Sequence, residues 1–517
     1  MIGATFEPGM CCLILASNIF RWSTRPEPAD TVPSMFEPNR YFAFVLFAGC
    51  LAVCAGGLAS PARALDDPAL QTEITKLENG LTILALEDHT TPVVAFQMWV
   101  RVGSRDEHRY TGIAHLFEHM MFKGSKHVGP EEHARRIEAY GGRVNAYTSR
   151  DRTVYHEDIP AEALPLVIAL EAERVANLDI SQATLDSERE VVLEERRMRT
   201  EDSPQGRAFE ALLATRFVAH PYRWPVIGWR SDIEQVTLEA CQEFFAHYYA
   251  PNNLVLVIVG DFDTEETLSD VRREFGKLKP AAEIPRNPTV EPEQEGERRA
   301  EVLFDLESPI FAAAWHAPAS GHPDGTTLDI IGEVLSAGRS SRLYRRLVYE
   351  EQQALSASGG YWEMNDDGLF YAFAGVRPDA SVDRVEELFF DEVRKLREAP
   401  VSEAELEKAK RQIEVMLVMG QEMNHALAAR IGRDYTTLGR IRPLEEQLEL
   451  LTAVSVEDVQ RVAKKYLIDQ QRSVVRVIPR PESADEGLDE GLDETPDEAP
   501  NEAPNEAPNE AKEGQVR

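Results

Sequence analysis

The chain has 517 residues, 43% of them hydrophobic and 28% charged, a composition that excludes both a disordered polymer and a polytopic membrane protein. Its 55 Lys and Arg against 89 Asp and Glu leave a formal charge of −34, which argues against a general affinity for nucleic acid or anionic lipid, since phosphate binding needs a basic surface. Cys11, Cys12, Cys50 and Cys54 crowd the start and only Cys241 follows, so the body holds neither a disulfide framework nor a cysteine-rich zinc knuckle.

The N-terminus reads as an export signal. Arg40 precedes an apolar run over residues 41–58, and Ala62-Arg63-Ala64 stands before the acidic Leu65-Asp66-Asp67, with cleavage expected after Ala64. A start at Met35 gives a signal of ordinary length. Imperfect lipobox-like sites at Cys50 and Cys54 offer lipoprotein anchoring as an alternative, and an uncleaved membrane anchor is a third. The mature protein is expected in the periplasm or otherwise outside the cytoplasm.

In chain order, alternation predicts strands over residues 80–86 and 93–100, and helical periodicity follows over 112–122 and 130–140. Gly141-Gly142 ends the second helix, and residues 143–158 read as a strand pair around Ser149-Arg150-Asp151. Helices are expected over 161–177, 181–199, 207–217 and 238–248, and a buried strand over 254–260. Residues 280–300 turn to Pro, Glu and Arg without apolar periodicity, as a linker does. The plan then repeats: a strand over 310–315, a helix from Thr327, a strand over 371–376, helices to Leu451 and a last strand over 473–478. Two α+β domains of related topology are the economical reading. The boundaries are 1–64 for the extension and signal, 65–282 for the first domain, 283–300 for the linker, 301–480 for the second domain and 481–517 for a tail. That tail carries 13 acidic and two basic residues with Asn-Glu-Ala-Pro twice, a composition expected to stay disordered.

The chemistry concentrates in His115-Leu116-Phe117-Glu118-His119. On a helix, residues four apart share a face, so both imidazoles reach one metal while Glu118 projects beside them. This is a zinc dyad with a general base: zinc wants a third protein ligand and an open position for water, whose pKa it lowers so that a carboxylate can take the proton. The order His-x-x-Glu-His inverts the commoner His-Glu-x-x-His. A helix carrying two packing histidines and a solvated glutamate is the plain structural alternative; His89, His108, His127, His133 and His156 lack the spacing and read as ordinary surface or packing residues.

Around this motif the sequence resembles the pitrilysin/insulinase family of inverted zinc metallopeptidases. The matching segments are Leu77-Glu78-Asn79-Gly80-Leu81, Gly103-Ser104-Arg105-Asp106-Glu107, residues 112–124, Gly142-Arg143-Val144-Asn145-Ala146-Tyr147-Thr148 and His220-Pro221-Tyr222. Gly338-Arg339-Ser340-Ser341-Arg342-Leu343 extends a weaker likeness through the second half, about 400 residues in all. The resemblance implies two homologous α/β-sandwich domains forming half of a clamshell chamber. It also implies one zinc per chain, with Glu195, 76 residues after His119, as the third ligand and Glu188, seven residues before that, supporting the site. Glu194 is the rival in a Glu-rich helix. Asn145, Ala146 and Tyr147 resemble the edge strand on which the family lays an extended peptide, although by themselves they read as one strand of a hairpin.

The implied activity is an exported zinc endopeptidase with Glu118 activating a zinc-bound water. Catalytically self-sufficient members carry in their second half an Arg and, seven residues later, a Tyr that hold the substrate; here Val348 and Leu355 take those places. Neither donates a hydrogen bond. Arg345, Arg346 and Tyr349 are neighbouring substitutes, and the departure points to a heterodimer with a homologous non-catalytic chain, a homodimer being the alternative. Two competing classes are a non-catalytic assembly subunit of the same family and an acidic binding module.

Overall fold

The computed structural model describes residues 67–481. The expected export signal, its cleavage point at Ala64, the Cys50 and Cys54 alternatives and the tail from residue 482 onward lie outside the described residues.

The first sheet contains β1 (Glu73–Lys76), β2 (Thr82–Glu87), β3 (Val93–Val100), β4 (Arg143–Thr148), β5 (Thr153–Pro160) and β6 (Leu254–Gly260), in the order β1-β2-β6-β3-β5-β4. Strand β6 is apolar on both faces and buried throughout, and it takes the interior place such a run requires. It runs parallel to β2 and antiparallel to β3, while β3–β5 and β5–β4 are antiparallel and leave β4 on the edge. The second sheet contains β7 (Arg298–Phe304), β8 (Ile310–Ala317), β9 (Ala354–Trp362), β10 (Gly368–Val376) and β11 (Arg472–Pro479), in the order β7-β11-β8-β10-β9. Its single parallel pair is β7 with β11, and the rest are antiparallel. Strand for strand this is β2-β6-β3-β5-β4 again. The chain is a mixed α+β protein built on one topology used twice, with β1 added to the first copy.

The helices cover these sheets in an exchanged pattern. The first half supplies α1 (Ile113–Met120), α2 (Glu132–Glu138), α3 (Leu164–Asn177), α4 (Gln182–Arg196), α5 (Pro204–Arg216), α6 (Arg230–Gln235), α7 (Leu238–Tyr248) and α8 (Thr264–Phe275). The second supplies α9 (Gly325–Ser336), α10 (Val382–Glu398), α11 (Glu403–Met419), α12 (Asn424–Leu438), α13 (Leu444–Ala453) and α14 (Val456–Tyr466). Period-two alternation gives β3 two apolar faces: Val94, Phe96 and Met98 join the core under α1 and α3, whereas Ala95 and Trp99 face the other way. That other face is covered by Leu427, Ala428 and Ile431 of α12, from the second half. Reciprocally, Leu212 and Leu213 of α5, from the first half, cover Ala312, Ala314 and Val475 of the second sheet. The close approach of α12 needs Gly432, where a Cβ would lie 2.3 Å from the Trp99 ring. Buried Asp67 ties the same helix to α13, receiving the Arg430 guanidinium and the backbone N–H of Leu444 (2.7 Å).

Several expectations need correction. Strand β7 begins at Arg298, inside the stretch 283–300 expected as a linker; Arg298, Arg299 and Glu301 hid it, because an edge strand tolerates charges on its outer positions. Helix α4 stops at Arg196 and passes into a wider π-helical turn, Arg197–Glu201, in place of one helix to Arg199. Helices continue past Leu451 to Tyr466. Strand β9 was not expected, since Gly359-Gly360 has poor strand propensity; the backbone of β10 lies so near that a Cβ on Gly359 would sit 2.3 Å from the Tyr371 carbonyl oxygen.

Candidate active site

Helix α1 starts at Gly112, whose φ of 88° suits glycine, and its first free amides are capped from a distance in sequence. The Glu107 carboxylate accepts from the backbone N–H of Gly112 (2.9 Å) and of Ala114 (3.0 Å). Ile113, Leu116, Phe117 and Met120 bury the helix in the first core, and its polar face, also buried, turns to α4 and β4. In α4, Ser181 and Thr184 form a reciprocal cap, and Leu185, Glu188, Val192 and Glu195 make one buried stripe at helical spacing. The two glutamates therefore face α1 with the core residues. Glu194 projects elsewhere, its side chain 52% exposed and paired with Arg197 at 2.6 Å, which removes it as a ligand candidate.

His115, His119 and Glu195 come together as the sequence predicts, each offering one ligand atom within 4.8 Å of the others. Glu195 Oε2 lies 3.2 Å from His119 Nε2 and 3.8 Å from His115 Nε2. Burial, reinforced by the neighbouring His119, lowers the His115 pKa to about 3, whereas for His119 burial is outweighed by the Glu188 and Glu195 carboxylates, which raise it to about 9. Two imidazoles and a carboxylate at this spacing fit a divalent ion of zinc's preferences. Burial works against the charge on Glu195, but hydrogen bonding to His119 and the nearby His115 and Arg199 outweigh it and hold the group down at about 2.

Behind these groups stands a second layer. Glu188 Oε2 is 3.8 Å from His119 Nδ1, while its other oxygen takes Lys123 Nζ (3.0 Å) and the Ser187 hydroxyl (3.1 Å). Arg199 reaches back from the π-helical turn to Glu195 Oε1 at 2.7 Å. Glu118 is buried, which raises its pKa, and it is hydrogen-bonded to Thr148, the last residue of β4. On the same strand Ala146 is buried and Asn145 and Tyr147 are half-buried. Lys123 and Thr148 lie in the matching blocks without an assigned role, and Arg199 lies outside them. Only the Gly103–Glu107 segment, among the matching blocks but without an assigned role, hinted at the cap.

A second cluster of ligand-type groups, His133, Glu157 and Glu171, is fully buried. Its cation is already present: the Arg174 guanidinium lies 2.5 Å from Glu171 and 3.5 Å from Glu157, so the cluster is an internal ion network. In the second half, Val348 packs partly against the core, Leu355 is 54% exposed, and Tyr349 is 76% exposed. Arg345 and Arg346 pair with Glu350, and Arg346 also with Glu351 (3.0 Å).

Comparison with known proteins agrees with the fold. Residues 82–228 match the insulinase domain of peptidase family M16, and residues 235–413 match the M16 inactive domain. The chain belongs to the M16 family. Its relatives include zinc protease PqqE of Helicobacter pylori, 31% identical over 79% of this chain and 93% of that protein, and an uncharacterised zinc protease of Mycobacterium tuberculosis, 30% identical over 79% and 94%. A probable mitochondrial-processing peptidase subunit beta of Arabidopsis thaliana is 27% identical over 83% of this chain and 82% of its own. The crystal structure of a protease from Helicobacter pylori superposes with a TM-score of 0.77 at 30% identity, covering 79% of this chain and 99% of that one.

Proposed function

We propose that the protein is an exported zinc endopeptidase that cleaves extended peptides. The observation that carries this reading is the convergence of His115, His119 and Glu195 beside Glu118, at the end of an edge strand. Zinc held by those three ligands, one ion per chain, would supply Lewis acidity toward the peptide carbonyl and toward water. The Glu118 carboxylate takes a proton from the attacking water and delivers it to the leaving amine nitrogen. The Thr148 hydroxyl aims that carboxylate. The Glu188 carboxylate, 3.8 Å from His119 Nδ1, favours a proton there and so leaves the Nε2 lone pair toward the metal position. The backbone of Asn145, Ala146 and Tyr147 adds the peptide to the sheet as a further strand, which makes few demands on its side chains. Export is supported by Arg40, the apolar run after it and Ala62-Arg63-Ala64.

The test is Glu118→Gln. The variant should bind zinc as the wild type does and lose at least about 100-fold in hydrolysis of a denatured peptide mixture, because its side chain cannot accept the proton. His115→Ala should lose both metal and activity. A Glu118→Gln protein as active as wild type would overturn the mechanism. A non-catalytic assembly subunit is the competing reading, favoured by Val348 and Leu355 alone; zinc binding without hydrolysis in any combination of chains would support it.

A further inference from the structure

The loop ahead of α1 is fastened to the proposed site at both ends. Glu107 caps α1, as described. Upstream, the backbone N–H of Ser104 donates to the Ser149 carbonyl (3.1 Å) and that of Arg105 to the Arg150 carbonyl (3.0 Å), joining the loop to the β4–β5 turn. A Cβ on Gly103 would lie 2.5 Å from the Arg150 backbone, so only glycine permits this approach.

The same turn is gripped by the second half. Asp151, nearly sealed from solvent, receives the Tyr222 hydroxyl (2.6 Å), the Asn365 backbone N–H (3.2 Å) and the Arg105 guanidinium (3.3 Å). Arg105 also reaches Asp366 at 2.6 Å, in the β9–β10 turn. The backbone N–H of Asp366 donates to the Tyr222 hydroxyl (3.2 Å), and its carboxylate meets His220 Nε2 (3.1 Å). Since the Tyr222 backbone N–H donates to His220 Nδ1 (3.1 Å), the ring proton sits on Nε2 and points at Asp366. The Arg150 guanidinium lies 4.8 Å over the ring of Trp362, at the end of β9.

We propose that Asp366 is a positioning residue for the peptidase site: acting through Arg105, Asp151 and Tyr222, it lets the second half set how the edge strand β4 lies over α1, and therefore where a bound peptide sits relative to Glu118. This rests on the peptidase reading above. The geometry favours a positioning role over a merely stabilising one. The Asp366 side chain is 49% exposed, so its removal opens no cavity and strands no buried charge, yet it touches Arg105 and His220, and Arg105 carries the backbone joint to the turn.

The experiment compares Asp366→Ala and Asp366→Asn with the wild type in the zinc-loaded full chain, with whatever partner full activity requires. In Asp366→Ala, zinc content should stay the same, kcat should fall about 10- to 100-fold, and KM should change less than threefold, because backbone pairing survives while the alignment does not. Asp366→Asn, which keeps one acceptor for Arg105, should recover part of the loss. Amide hydrogen exchange over residues 144–153 should speed up in Asp366→Ala, and this readout needs no hydrolysis. Wild-type kcat, or unchanged exchange in that segment, would overturn the proposal. If the wild type hydrolysed nothing while exchange still responded, the peptidase reading would fall and the coupling of the second half to β4 would stand.

Discussion

Glu194 and Glu195 are adjacent in sequence and differ in what their helix does with them. They project about 100° apart, so only one shares the buried stripe with Glu188. Glu195→Gln should weaken zinc affinity by well over 10-fold, measured by competition with a chelator, whereas Glu194→Gln should leave it within about twofold, having lost only an exposed pair with Arg197. Asp324, at the start of α9, gives a separate test by pH. Burial opposes its ionisation, but the Lys465 ammonium (2.8 Å), Arg461 (2.9 Å) and the Tyr466 hydroxyl (2.9 Å) hold its pKa at about 2, below the ordinary 3.8. A depressed carboxylate stabilises the fold above its unfolded pKa and loses that contribution as pH falls through the folded one. Asp324→Asn should therefore cost about 1–2 kcal/mol at pH 7 and little at pH 2, as read from urea unfolding at each pH. The sequence showed His115, Glu118 and His119 by their spacing, and Glu188 and Glu195 only through family register. Arg199 stands four residues after Glu195, an ordinary helical ion-pair spacing, and in a Glu- and Arg-rich helix that spacing does not single it out.

At the scale of elements, the exchange of α5 and α12 means that neither sheet is complete with its own half of the chain. A chain ending at residue 282 leaves Leu84, Trp99, Val255 and Val257 without Leu427, Ala428 and Ile431 over them. That fragment should show no cooperative thermal transition on its own, and adding residues 283–481 in trans should restore one, read by near-ultraviolet circular dichroism. A sharp transition from the isolated fragment would show that the α12 face is dispensable. Within the full chain, Leu427→Ala should cost about 2–4 kcal/mol and lower a single shared transition, because one packed layer serves both halves. The sequence revealed β6, β4 and β5 because apolar runs and polar turns are local signals. It concealed the exchange, since an amphipathic helix carries an apolar stripe whichever sheet it covers. It also concealed α8, whose Leu268, Val271 and Phe275 stripe is diluted by a run of charges.

For the whole molecule, the proposed site lies in the first half, and Val348 and Leu355 stand where the family resemblance implies an Arg and a Tyr, which is the ground for expecting a second chain. Mixing with a homologous non-catalytic chain should raise kcat/KM at least about 10-fold while zinc per chain stays the same, since the missing groups hold substrate and bind no metal. Full activity from a homodimer, undiminished when Arg345, Arg346 and Tyr349 are each replaced, would contradict this. The exchanged helices also bear on how the protein is made. The ribosome completes β6 at Gly260, yet the helix that covers the outer face of that sheet ends only at Leu438. At synthesis rates of about 5–20 residues per second, the interval is roughly 10–35 s, during which a broad apolar surface has no cover. Such a nascent chain is a natural client for a chaperone, and one whose folding waits this long stays threadable through a narrow translocation channel.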